Sequence, residues 1–117
     1  MEKIVQQGML YDFYGELLTE HQKQIYERYV YENLSLSEIA EEEGVSRQAV
    51  HDIIKRCDKI LFGYEEKLGL VSRFQHVKER IREMNELTAS LQMHSDEKTE
   101  QIAITLQKLS AEILADL

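Results

Sequence analysis

The chain has 117 residues, 22 Asp/Glu against 14 Lys/Arg, a net charge of −8 and a sequence pI near 5.0. That length allows one domain with a core, or a small domain plus an extension. No apolar run approaches the roughly 20 residues that span a bilayer, no secretory leader is legible, and one cysteine, Cys57, excludes an internal disulfide, so a cytoplasmic protein that does not insert into membranes is expected.

Proline is absent and glycine occurs five times, a composition that suits long helices. Residues 1–18 carry Met9, Leu10, Phe13, Tyr14 and Leu17 at helical spacing, which predicts a short amphipathic helix. Thr19, with Gln22 as capping-box partner, starts a second helix whose inner stripe is Ile25, Tyr26, Tyr29 and Val30 and which ends at Asn33. Residues 35–56 then read as a helix-turn-helix. Ser35 and Glu38 form a capping box, Ile39 and Ala40 face inward, Gly44 closes the first helix, Val45 packs the turn, and Ser46 caps the second helix. That second helix keeps one stripe through Val50, Ile53, Ile54, Cys57, Ile60, Leu61, Tyr64 and Leu68 to Gly69, about 30 Å at 1.5 Å per residue.

Beyond Gly69, Leu70, Phe74, Val77, Ile81, Met84, Thr88 and Leu91 recur in steps of four and three, a heptad seam with one polar interruption. His94-Ser95-Asp96 breaks it, and Ser95 or Asp96 caps a last helix bearing Ile102, Leu106, Leu109 and Ile113. The reading is an all-α chain, a helix-turn-helix domain over residues 1–68 followed by a heptad-patterned helical extension over 69–117. A homodimer is expected on Leu70, Phe74, Val77, Ile81, Met84, Leu91, Ile102, Leu106, Leu109 and Ile113, because two long apolar seams on a small domain leave a surplus stripe. The alternative is a monomer whose hairpin covers Phe62 and Tyr64.

Opposite the apolar stripe of the long helix lie Gln48, His51, Asp52, Lys55 and Lys59, with Arg47 at the N-terminal end. In a helix-turn-helix this face enters the DNA major groove, and Arg and Gln suit base edges and phosphates. Arg47, Gln48, His51, Lys55 and Lys59 are therefore the candidate nucleic-acid contacts, although an ordinary solvated face has the same composition. Charge argues against tight binding. Residues 19–59 hold six Lys/Arg against nine Asp/Glu, and Glu38, Glu41, Glu42 and Glu43 occupy the helix that would cross the phosphates. Duplex-DNA binding is expected to be weak.

The remaining chemistry is sparse. His21, His51, His76 and His94 lack metal-ligand spacing, and no nucleophile motif or phosphate-binding loop occurs. No catalytic residue, metal or cofactor is assigned. Cys57, in the apolar stripe, reads as a buried structural thiol. Arg73, His76, Lys78, Arg80 and Arg82 flank the heptad seam, where they can cover it or pair with Glu79, Glu83 and Glu86; an RNA or acidic partner is the sharper alternative.

The stretch Leu34–Ala40, Gly44–Arg47, Val50, Ile53, Lys55 and Arg56 resembles region 4 of bacterial sigma factors, with Ala49, His51 and Asp52 where that family commonly carries further basic residues. Over nearly the whole length, Met9–Gly15, Leu17–Thr19, Ser46–Asp52 and the helical tail from Leu61 are similar to the YlxM-like proteins of Gram-positive bacteria. That resemblance implies an accessory or regulatory role beside the signal recognition particle, with its RNA, its GTPase or its receptor as partner. A dimeric DNA-binding transcription regulator is the second reading, and a protein-interaction scaffold the third.

Overall fold

The computed structural model describes residues 2–93 and 96–117. Those residues form α1 (Lys3–Tyr14), a 3-10 turn (Gly15–Leu17), α2 (Glu20–Val30), α3 (Leu36–Glu43), α4 (Arg47–Leu68), α5 (Leu70–Met93) and α6 (Glu97–Asp116), with no strand among them.

The helix ends follow side-chain chemistry. Thr19 and Gln22 exchange hydrogen bonds as a capping box, as do Ser35 and Glu38. Gly44 and Gly69 close α3 and α4 in the left-handed region, with φ of 68° and 63°, which a side chain would strain. The Ser46 hydroxyl accepts from the Ala49 N–H at 3.0 Å, and the Asp96 carboxylate accepts from Thr99 at 2.8 Å. Ser95, the other expected cap, and His94 lie outside the described residues. The expected end of the second helix shifts. α2 stops at Val30, and Asn33 lies beyond the Tyr31 cap in the left-handed region, which asparagine tolerates.

The chain divides into two units, Met1–Val71 and Ser72–Leu117. In the first, α4 serves two core layers. Its N-terminal half brings Val50 and Ile54 against Ile25 of α2 and Ile39 and Ala40 of α3, the core of the helix-turn-helix. Its C-terminal half brings Cys57 and Leu61 against Leu10, Tyr11 and Tyr14 of α1, Leu18 and Tyr26. Three sequence expectations fail here. Phe13 and Leu17 lie on the exposed side of the first segment, because its buried face is Gln7, Leu10, Tyr11 and Tyr14. Val45 does not pack the turn but is 46% exposed, its contribution being an N–H given to the Ala40 carbonyl at 3.1 Å. Leu68, at the end of the stripe, is exposed.

Tyrosine–carboxylate pairs tie this unit together. Tyr11 donates to Glu27 at 2.5 Å, Tyr14 to Glu65 at 2.6 Å and Tyr26 to Asp58 at 2.5 Å; Tyr31 donates to Asp12. Gln7 also donates to Asp58, at 2.9 Å, which explains a glutamine on the inner face of α1. Tyr14 and Glu65 have a second task. Their oxygens accept the N–H groups of Leu70 and Val71 at 3.1 and 3.0 Å, donors that a helix N-terminus leaves without intrahelical partners.

The second unit holds most of α5 and all of α6. Ile81 and Thr88 of α5 and Ala103 and Ser110 of α6 are buried, and Gln107 donates to Gln92 at 3.3 Å.

Candidate nucleic-acid interface

Ser46 sets the candidate face by fixing where α4 begins. The first turn then presents Arg47 and Gln48 to solvent, and helical periodicity carries the same face to Asp52, Lys55 and Lys59, all exposed. The face is partly engaged with itself. Gln48 donates to Asp52 at 2.9 Å. His51 is half-buried, with Nδ1 out of solvent, without a hydrogen bond and 3.6 Å from an Asp52 oxygen. Arg47, Lys55 and Lys59 are thus the cations of this face that extend to solvent. Lys59 continues into a shallow groove with Ile60, Gly63, Tyr64 and Lys67.

The acidic helix α3 is less repulsive than its sequence suggests. Arg28 of α2 donates to Glu43 at 2.6 Å and lies 3.6 Å from Glu42, and His21 lies 3.4 Å from Glu43. Burial alone would raise the Glu43 pKa, but the hydrogen bonds from Arg28 and His21 outweigh it and hold the carboxyl below its ordinary value. Glu38 is occupied in the capping box. Glu41 has no ion-pair partner among the described residues and Glu38 meets only a backbone N–H, so both keep unneutralised charge on α3. Sequence reasoning missed Arg28; its partners lie 14 and 15 residues away on another helix.

The single thiol is not presented beside this face. Cys57 is fully buried, and that burial pushes its thiol pKa up to about 11. Among the described residues no group of three or more His, Cys, Asp or Glu could hold a metal ion, and no helix is long and apolar enough to cross a membrane. Three basic residues of α5 are engaged locally. Arg80 pairs with Glu83 at 3.4 Å, Arg82 with Glu79 at 3.1 Å, and Lys78 stands over the Phe74 ring.

A family profile described as "Putative helix-turn-helix protein, YlxM / p13 like" matches residues 1–102. A UPF0122 protein of Bacillus velezensis is 45% identical over 109 residues, covering 93% of this chain and 97% of its own length. One from Clostridium kluyveri is 43% identical over 100 residues, covering 86% and 88%. One from Desulforamulus reducens is 58% identical over 67 residues, 57% of each chain. The matching profile is named for a helix-turn-helix and for no enzymatic activity.

Proposed function

The chain belongs to the YlxM/p13-like family of helix-turn-helix proteins, and from that premise we propose that it is a cytosolic, non-enzymatic accessory of the signal recognition particle pathway. It binds the particle's RNA, its GTPase or both through the helix-turn-helix. The observation that carries this reading is the exposed polar face of α4, where Arg47, Gln48, Lys55 and Lys59 stand on a rigid scaffold. Three spaced cations suit a few phosphates of a structured RNA or an acidic protein surface, rather than the many phosphate contacts of a tight duplex binder. The second reading, a dimeric DNA-binding regulator, draws on the intact caps at Ser35, Gly44 and Ser46, which keep the motif's geometry.

The test is purification of the tagged full chain from its own cytosol at moderate salt, before and after nuclease. Recovery of the particle's RNA, lost on nuclease treatment, or of its GTPase, supports the accessory role. Recovery of neither counts against it. Sequence-specific duplex binding at nanomolar concentration and physiological salt replaces it with the regulator. Unchanged affinity in the Arg47→Ala/Lys55→Ala double variant removes the α4 face as the contact.

A further inference from the structure

Gly63 has no reason within the described chain to be a glycine. It lies in the interior of α4, where glycine weakens a helix relative to alanine. Its φ is not left-handed, unlike those of Gly44 and Gly69. A Cβ placed there would meet nothing within 4 Å. What a glycine still offers is close approach to the backbone from outside. Gly63 floors a groove of about 350 Å³ lined by Lys59, Ile60, Tyr64 and Lys67, at the low end of the volumes that take a small ligand.

Charge is sorted around this part of α4. At about 100° per residue, Asp58 and Glu65 fall within roughly 20° of each other, and their carboxylates accept from Gln7, Tyr14 and Tyr26 on the packed side of the helix. Arg56, Lys59, Gly63 and Lys67 fall within roughly 80° of one another on the other flank. These three cations are exposed and have no ion-pair partner among the described residues. Of the nearer carboxylates, Glu66 falls roughly 60° round from Gly63 and Asp52 lies about 16 Å from it along the axis; neither lines the groove. Lys59 and Lys67 stand about one turn before and after Gly63, so an anion resting on the glycine meets both. Tyr64, its ring stacked on Tyr14 at 6.1 Å, gives the groove an aromatic edge.

We propose that this groove holds one unpaired nucleotide of an RNA, its phosphate over Gly63 between Lys59 and Lys67, its base against Tyr64, and the neighbouring phosphate on Arg56. The inference rests on the accessory reading above and specifies where the RNA is gripped. Two lysines about a glycine suit a phosphate, and an aromatic edge suits the exposed face of an unpaired base. A duplex keeps its base faces stacked inside, and an acidic peptide would use the cations but leave the aromatic edge idle.

Fluorescence titration of the full chain with dye-bearing signal recognition particle RNA at about 100 mM salt tests this. Arg56→Gln and Lys67→Gln should each weaken binding roughly threefold to tenfold and flatten the log–log salt slope by about 0.7. Gly63→Gln should weaken binding roughly tenfold by filling the floor of the groove, while the melting temperature rises by about 2–5 °C because glutamine is the better helix former. A single-stranded RNA competitor should displace the probe at lower concentration than the same sequence in a duplex. Unchanged affinity in Gly63→Gln and Lys67→Gln overturns the site, and the accessory reading survives that result if Arg47→Ala/Lys55→Ala still weakens binding. Equal competition by the duplex overturns the base contact with Tyr64. A wild-type chain that binds no RNA overturns the site, and recovery of the GTPase from cytosol then decides the reading separately.

Discussion

Single side chains carry much of the first unit's geometry, and Ser46 is the clearest case. Its hydroxyl satisfies an N-terminal amide of α4, so Ser46→Ala should lower the unfolding free energy by about 1 kcal/mol in chemical denaturation, whereas Ser46→Asp should keep stability through its favourable charge at a helix N-terminus. The tyrosines set an alkaline limit. Tyr11, Tyr14 and Tyr26 have raised pKa values, first because burial disfavours the phenolate and then because each donates to a carboxylate. The folded chain therefore holds these protons more tightly than the unfolded one. Their contribution is complete below the unfolded value of about 10 and is lost as pH rises from there toward the folded values. Denaturation midpoints measured against pH should fall from about pH 10 upward, and Tyr26→Phe should make that fall shallower. At this scale the sequence was partly legible. Thr19, Ser35, Gly44, Ser46 and Gly69 announce themselves because caps depend on neighbours within a few residues. The Tyr14–Glu65 and Tyr26–Asp58 pairs, 51 and 32 residues apart, leave no local pattern.

Among the elements, α3 and α4 divide opposing roles. α4 presents its cations, while α3 faces the same solvent with a charge that Arg28 partly cancels. Glu41→Lys should therefore strengthen RNA binding and steepen the slope of log affinity against log salt, by about 0.7 for a single strand, without a change in helicity; a fluorescence titration at several salt concentrations measures both. Periodicity located the helices of the described residues but misassigned the buried face of α1. In α1 the buried side is centred on Gln7, Tyr11 and Tyr14, because paired polar groups can enter a core. In the second unit the buried residues include Thr88, Ala103 and Ser110, small or polar side chains that give no hydrophobic signal.

For the whole molecule, the charge of −8 sets the expectation for nucleic acid. With Arg47, Lys55 and Lys59 as phosphate contacts, duplex affinity should vary with a log–log salt slope near −2.7 and fall about 40-fold between about 50 and 200 mM salt. A slope steeper than about −5 would require cations beyond this face. The sequence pattern changes from a helix-turn-helix to a heptad repeat after Gly69, but the hydrogen bonds that hold the start of α5 within the first unit left no sign in it. The Tyr14 hydroxyl and the Glu65 carboxylate hold the first two amides of α5, which makes the order of synthesis matter. α1 leaves the ribosome long before Leu70 exists, and its tyrosine stays without that amide donor until the chain has grown another 56 residues. The folded first unit then offers a ready nucleus for α5, removing the slow first turn that an isolated helix must form unaided. Amide exchange at Leu70 and Val71 should accordingly track the opening of the amino-terminal unit rather than the fraying of the helix to which those residues belong.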